Sequence, residues 1–310
     1  MAKQDLDEKT IVSSDTFRKN LSDVDQAPPA LVMLFGPPAY QGKQWLLNKT
    51  SQILGRAVES DIFIDDRSLS RSHAKIDQVG SQVTIVDLNS TNKTSVNGRD
   101  LLANSPCELH NNDQIKMGNT VFKFLERGSI EAVSNQSMYE KANRDALTGA
   151  YSKGFLLEKG PEAIKRSESL NEPLSIIVFD IDHFKKINDG FGHPGGDLVL
   201  KELGKLVQSR LIRSNDFFSR YGGEEFVLIL TSTHLQRAVE IGERIRQTVQ
   251  AHEFIFEGNK IPVTISLGAA ERNSKESDWA SLFKRADGAL YSSKQNGRNR
   301  LTVAPASSNP

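Results

Sequence analysis

The stretch RYGGEEFVLIL, residues 220–230, sets two glycines and two glutamates between apolar runs. FFSRY before it and FVLIL after it are strand-like, and glycines suit a tight turn that needs φ > 0. The segment therefore reads as a β-hairpin over 216–230. A turn has no need of two adjacent carboxylates. Glu224 and Glu225 call for a chemical reason.

The surrounding sequence alternates strand and helix patterns. PLSIIVFD (173–180) is a short continuous apolar run, as in a buried strand, and Leu198, Leu203, Leu206, Val207 and Leu211 recur at helical spacing over 197–212. After the hairpin, Ala238, Val239, Ile241 and Ile245 predict a helix over 235–251. A strand pair follows across 253–270, with Gly258 and Asn259 as its turn, and then a helix over 278–295. That order predicts an α/β (α+β) domain with a central mixed sheet.

Where PLSIIVFD stops, Asp180 and Asp182 stand two residues apart, on one face of an extended strand. If this strand neighbours the hairpin, Asp180 and Glu224 converge, and hard carboxylate oxygens in that arrangement suit Mg²⁺ together with substrate phosphates. Either acid pair alone reads as ordinary solvated surface. Their company argues otherwise. HFKKINDGFGHPGGD (183–197) supplies Lys185 beside phosphate charge, Asn188 and Asp197 as hydrogen-bonders to a base edge, and glycines that admit a ligand to the backbone. SSKQNGRNR (292–300) adds Lys294 and Arg298, cations suited to triphosphate oxygens.

DALTG (145–149), FDIDHFKKINDGFGHPGGD (179–197), RYGGEEF (220–226) and ADGALYSSKQNGRNR (286–300) together resemble a GGDEF-family diguanylate cyclase. The resemblance implies a fold similar to the palm of nucleotidyl cyclases and polymerases. It also implies condensation of two GTP into cyclic di-GMP across a homodimer, each copy presenting one nucleotide. Carried onto this sequence, Asp180, Glu224 and the Ile181 carbonyl would hold two Mg²⁺ ions per site, with Mn²⁺ as an alternative. Glu225 would stand beside the reacting 3′-hydroxyl. Asn188 and Asp197 would read guanine, Lys294 and Arg298 would meet the γ- and β-phosphates, and Phe184, Lys185 and His193 would complete the GTP site. Glu224 replaces the commoner Asp with equal charge, and Ser152 and Lys153 stand where Asn and Arg are commoner. Retention of Asp197 favours GTP.

Arg213 and Asp216, in RSND ahead of Gly222, can serve one ligand, a guanidinium forking onto phosphate or guanine and a carboxylate accepting from guanine. Alone, such a pair is a surface ion pair of little energetic weight. At this distance from GGEEF it resembles the family's inhibitory site for the cyclic di-GMP product.

Residues 30–126 carry short β-like runs (ALVMLF, KQWLLN, SQILGR, DIFID, HAKIDQV, SQVTIVDL, TVFKFLE) with turn residues between them, which predicts an all-β sandwich. Three turns gather an Arg, hydroxyls and amides: ILGRAVESDIFIDD (53–66), SLSRSHAKI (68–76) and VDLNSTNKTSVNG (86–98). Loops at one end of a sandwich can assemble such groups around a phosphate monoester. Together they resemble a forkhead-associated (FHA) domain. The resemblance implies phosphothreonine contacts from Arg56, Ser70, Arg71, Thr91 and Asn92, with His73 and Asn97 bracing the loops. Lys93 stands where that family commonly has Gly.

The chain of 310 residues balances 39 Lys and Arg against 39 Asp and Glu, so no global field points to nucleic acid or an anionic membrane. Its single cysteine, Cys107, excludes an intrachain disulfide framework. The charged start lacks the apolar segment of a secretion signal, and no apolar run approaches the roughly 20 residues of a membrane span, so the expectation is a soluble cytoplasmic protein. The expected organisation is a flexible tail over 1–29, the FHA-like domain over 30–126, a helical linker over 127–143, the cyclase domain over 144–304 and a disordered end over 305–310. The sandwich would read phosphothreonine on a partner protein or on the chain's own tail, where Thr10 and Thr16 are candidate phosphosites. The rival reading is a catalytically weak cyclic di-GMP receptor and phosphothreonine adaptor.

Overall fold

A computed structural model describes residues 27–213, 216–273 and 278–305. Thr10, Thr16 and the last five residues lie outside the described residues, as do Ser214 and Asn215 between Arg213 and Asp216. The chain divides into two compact units, Met1–Tyr139 and Glu140–Pro310. Among the described residues no helix is long and apolar enough to cross a membrane.

The first unit is a sandwich of two sheets. One contains β1 (Ala30–Phe35), β2 (Gln44–Leu46), β7 (Thr94–Val96), β8 (Arg99–Asp100), β10 (Gln114–Met117) and β11 (Thr120–Leu125), in the order β2-β1-β11-β10-β7-β8. The other contains β3 (Ser51–Gly55), β4 (Ile62–Phe63), β5 (Ala74–Val79), β6 (Gln82–Asp87) and β9 (Pro106–Glu108), in the order β4-β3-β5-β6-β9. The period-two pattern works as it should: Ala74 and Ile76 of β5, Val83 and Ile85 of β6, and Phe122 and Phe124 of β11 all point into one core. β7 to β10 are each two to four residues long, too short for a hydrophobic pattern to mark them in the sequence. Helix α1 (Ile130–Asn143) follows the sandwich and spans the division between the units.

The second unit has a five-stranded sheet of β12 (Leu174–Ile181), β13 (Phe217–Gly222), β14 (Glu225–Thr231), β17 (Ile265–Glu271) and β18 (Leu301–Val303), in the order β13-β14-β12-β17-β18. All neighbours are antiparallel except β17 and β18, so the sheet is mixed. Every residue of the central strand β12 is buried because both faces are covered. On one face Ile177 and Phe179 meet α3 (Phe184–Arg210) and α4 (Leu235–Ala251) through Val199, Leu203, Ile241 and Ile245. On the other, Ile176 and Val178 meet α2 (Lys153–Leu170) and α5 (Trp279–Gln295) through Ile164, Leu282 and Ala286. Phe179, Phe218 and Phe226 stack on adjacent strands with centroids 5.3–6.1 Å apart, and burying each such ring contributes about 1.5–3 kcal/mol.

Two local expectations are corrected, and two elements, α2 and β18, have no counterpart in the sequence reading. Helix α2 carries no strong sequence signal, since Gly154, Gly160 and Pro161 interrupt it. Gly160 is there for packing, because a Cβ would sit 2.3 Å from the Trp279 ring. The helix expected from residue 197 begins at Phe184, broken at Gly192 (φ 70°, ψ 171°), so most of the glycine-rich segment 183–197 is helical. The β15 (Phe254–Phe256) and β16 (Asn259–Ile261) pair forms its own two-stranded sheet, and it turns through Glu257 (φ 49°) and Gly258 (φ 79°), not through Gly258 and Asn259. Strand β18 was not anticipated, and it extends the sheet beyond β17.

Candidate active site

The hairpin loop is the two residues Gly223 and Glu224, closed by the Gly222–Glu225 pair, with Gly223 at φ 49°. A first loop residue with φ > 0 is what glycine supplies in such a turn. Register then brings the acids together: Asp180 is the direct Cα partner of Glu225 across β12 and β14, and the Ile181 amide donates to the Glu224 carbonyl at 3.4 Å. Directly opposed residues share a face with their Cβ atoms roughly 4.5–5.5 Å apart. Asp180 is 6% exposed, whereas Glu224 and Glu225 are half-buried. Lys294, in the last turn of α5, places its ammonium 2.9 Å from Asp180 Oδ2. Burial pushes the Asp180 carboxyl up to about 6; Lys294 works against that rise, while the Glu224 and Glu225 charges add to it.

Among the described residues, no three His, Cys, Asp or Glu side chains form a ready-made metal cage. Two or three carboxylates and a backbone carbonyl on one rim nevertheless fit Mg²⁺, which takes one or two carboxylates and leaves its other positions to water and phosphate. Asp180 meets the Lys294 ammonium, and the Glu224 and Glu225 charges press against it from the hairpin.

The kink at Gly192 folds the first half of α3 back on the second. A Cβ at Gly196 would lie 1.9 Å from Asn188 Oδ1 and 3.1 Å from Phe184 Cζ, so both side chains rest on bare backbone next to Asp197. Asn188 and Asp197 are thereby neighbours, one half-buried and the other exposed. His193 is exposed beside the kink, and Lys185 is exposed in the first turn of α3. Phe184 is 9% exposed with its ring against Gly196, and the amides that open a helix favour anions. Arg298 follows α5 in the left-handed region (φ 64°).

A brace behind the hairpin went unread in the sequence. Arg220 Nη1 lies 3.0 and 3.2 Å from the two Asp145 oxygens, and its Nε donates to the Gly223 carbonyl at 2.9 Å. Thr148 donates to Asp145 through both its amide and its hydroxyl. Burial opposes ionisation of Asp145, but these donors and Arg220 hold its carboxyl below the usual carboxylate range.

Arg213 is exposed. Asp216 is 6% exposed and closes the turn itself, Oδ2 accepting from the Arg213 amide at 2.8 Å while its own amide donates to the Arg213 carbonyl at 3.1 Å. Burial raises the Asp216 carboxyl. A cavity of about 350 Å³ lined by Lys159, Arg166, Phe217 and Ser232 lies at the opposite end of β14 from Glu225, away from the acids.

In the first unit, Arg56, Ser70, Thr91 and Asn92 meet at one end of the sandwich. The Arg56 amide donates to the Ser70 carbonyl (2.9 Å), the Thr91 amide to Ser70 Oγ (3.1 Å), and Asn92 Nδ2 to the Ser68 carbonyl (2.8 Å). Gly55 admits this packing, since a Cβ there would strike the Arg71 carbonyl at 2.0 Å. Buried His73 ties the loops: Nδ1 accepts from the Ser70 amide at 3.0 Å, which puts the ring proton on Nε2, 3.1 Å from the Lys93 carbonyl it bonds. Lys93 adopts φ 54°, the conformation for which glycine is usual. Arg56, Arg71, Thr91 and Asn92 are exposed around this rim, and Ser70 is half-buried.

A palm-like α/β domain with a carboxylate cluster at the end of its central strand, preceded by a β-sandwich with a polar loop rim, is the class these observations define. Residues 142–300 match the family described as diguanylate cyclase, GGDEF domain, and residues 53–118 match the FHA domain. The chain belongs to the GGDEF family. It is 42% identical over 176 residues to diguanylate cyclase A of Treponema denticola, covering 56% of this chain and 47% of that protein. It is 41% identical over 168 residues to a diguanylate cyclase of Vibrio cholerae, covering 54% of this chain and 51% of that protein. The chain thus spans about half the length of the curated relatives it matches. Among solved structures it resembles the GGDEF domain of DgcB from Caulobacter crescentus in complex with c-di-GMP, at 33% identity and TM-score 0.51, over 53% of this chain and 97% of that one. It also resembles the diguanylate cyclase SiaD of Pseudomonas aeruginosa, in complex with its activator SiaC, at 34% identity and TM-score 0.53, over 56% and 66% of the two chains.

Proposed function

We propose that this protein is a diguanylate cyclase that joins two GTP into cyclic di-GMP, two copies of the chain each presenting one nucleotide. The observation that carries the reading is the register of Asp180 against Glu225, with Lys294 closing on Asp180. Asp180, Glu224 and the Ile181 carbonyl would hold Mg²⁺ or Mn²⁺, which supplies charge neutralisation at the α-phosphate and lowers the pKa of the attacking hydroxyl. Glu225 accepts the 3′-hydroxyl proton. The 3′-oxygen forms a bond to the α-phosphorus of the other nucleotide, the α–β bridging P–O bond breaks, and pyrophosphate leaves; repetition closes the ring.

Asn188 and Asp197 hydrogen-bond the guanine edge, Asp197 accepting from its N–H groups. Lys294 and Arg298 bind the β- and γ-phosphates, Lys185 adds positive charge, and the first-turn amides at Phe184 meet the triphosphate. His193 borders the nucleotide beside the kink. Arg213 and Asp216 bind product and inhibit, Asp216 having one oxygen left for guanine after closing its turn. The sandwich rim of Arg56, Ser70, Arg71, Thr91 and Asn92 binds a phosphothreonine, on a partner protein or on the chain's own Thr10 or Thr16, and so regulates pairing. Action in the cytoplasm, where GTP is abundant, follows from the same reading.

The test is purified protein with GTP and Mg²⁺, the products separated by nucleotide chromatography, beside Glu225→Ala. Cyclic di-GMP from the wild type and none from the variant supports the reading. Product bound but never formed would leave a receptor instead.

A further inference from the structure

Asp182 lies 5% exposed beside the acids, and both its oxygens are taken by the protein. Oδ1 accepts from Ser266 Oγ at 2.6 Å; Oδ2 accepts from Thr264 Oγ1 at 2.7 Å and from the Asn299 amide at 3.0 Å. Its own amide donates to the Thr264 carbonyl at 2.9 Å. Three donors on a group with about four acceptor sites commit Asp182 to the protein, whereas Asp180, two residues earlier, meets the Lys294 ammonium.

Its partners reveal what it holds. Asn299 and Arg298 are consecutive non-glycine residues in the left-handed region, φ 44° and 64°. Such a pair persists only where the surroundings over-determine it. Three anchors do so: Asp182 grips the Asn299 amide, Arg246 Nη1 of α4 donates to Asn299 Oδ1 at 2.8 Å, and the Arg298 amide donates to the Ser293 carbonyl at 3.0 Å. Without the first two, the turn relaxes and the Arg298 side chain leaves its direction.

We infer that Asp182, seconded by Arg246, is a positioning residue that presents Arg298 to the triphosphate and so sets preference for a triphosphate over a monophosphate nucleotide. The inference rests on the cyclase reading of this site. Charge-assisted hydrogen bonds are the strong ones, and the Asn299 amide meets a full carboxylate. Neither Asp182 nor Arg246 touches the nucleotide; both act through Asn299 in the turn between α5 and β18, Asp182 on its amide and Arg246 on its side chain.

The experiment is calorimetric titration of the full chain with a non-hydrolysable GTP analogue and with GMP, each with Mg²⁺, for wild type, Asp182→Asn and Arg246→Gln. The expected result is a roughly tenfold loss of affinity for the triphosphate in each variant, with GMP affinity held within about twofold, and a matching rise in KM for GTP. Because Arg246 reaches the turn from α4, Arg246→Gln carries the test if Asp182→Asn fails to fold. Triphosphate affinity equal to wild type in the folded variants, or equal losses for both nucleotides, overturns the assignment. A wild type that binds neither nucleotide overturns the cyclase reading beneath it, a result distinct from a selective wild type with unselective variants.

Discussion

The Lys294 ammonium sits 2.9 Å from Asp180 Oδ2, at the carboxylate that faces Glu225 across the sheet. This cation offsets part of the charge of a three-acid rim, and under the cyclase reading a metal–nucleotide pair would draw it toward phosphate. Replacing it by Gln removes a competing charge. Lys294→Gln should bind Mg²⁺ alone about tenfold more tightly, measured by calorimetry without nucleotide, while its affinity for GTP falls by a similar factor. Weaker Mg²⁺ binding in the variant would show that the ammonium does not compete with the ion.

The pH dependence of that site has a definite sign. The Asp180 carboxyl, ordinarily at 3.8, is raised to about 6 in the fold. Its contribution to stability is therefore fully present below 3.8 and is lost as pH rises through about 6. Metal needs the ionised form, so Mg²⁺ affinity should drop roughly tenfold per pH unit below that value. Mg²⁺ titrations followed by thermal unfolding at acidic and neutral pH check this. Affinity independent of pH between 5 and 7 would contradict it.

The Arg220–Asp145 pair ties the DALTG segment to the hairpin tip, with side chains 17% and 26% exposed. Its hydrogen bonds join charged groups, so Arg220→Ala should destabilise the domain by about 1.5–3 kcal/mol. The free tip should also slow turnover by roughly tenfold, since Gly223 loses its anchor. A double-mutant cycle with Asp145→Asn, read by denaturant unfolding, should show coupling of about 1 kcal/mol or more. Additive effects would mean the brace is idle.

Burial holds the His73 imidazole below its ordinary 6.5 although its bond to Lys93 and the Asp87 charge favour protonation. A depressed folded value means stability present above 6.5 and lost as pH falls through the lowered value. A proton on Nδ1 would also oppose the Ser70 amide that bonds it. The sandwich of the full chain should accordingly unfold at lower temperature as pH falls from neutrality to 5, and His73→Gln should flatten that slope.

Much of the site could be read from the residues, because its chemistry is local: the glycine turn, the acids at a strand end, and the cations after a helix each announce themselves within a few positions. The pairing of Asp180 with the hairpin followed from placing two adjacent strands. What stayed hidden was long-range or masked by breakers. Asp182 meets Thr264, Ser266 and Asn299, more than eighty residues downstream. Arg220 meets Asp145 across seventy-five. No local pattern encodes such partners. Helix α2 was missed because Gly160 and Pro161 look like a loop, though that glycine only makes room for Trp279. The early start of α3 was missed because HFKKINDGFGHPGG is full of residues that usually end helices.

Strand β18 is an edge strand of the five-stranded sheet, hydrogen-bonded on one side only to β17. It is fastened by the Arg300 carbonyl accepting from Leu267, by Ser293 donating to Thr302, and by the Ala304 amide donating to the Ala269 carbonyl. The loop it secures carries Arg298. An edge strand opens more readily than the strands it borders, so fraying of β18 would free the Arg298 turn while β12, β14 and β17 stay paired. That turn would then answer to local unfolding at the sheet edge rather than to the global stability of the domain.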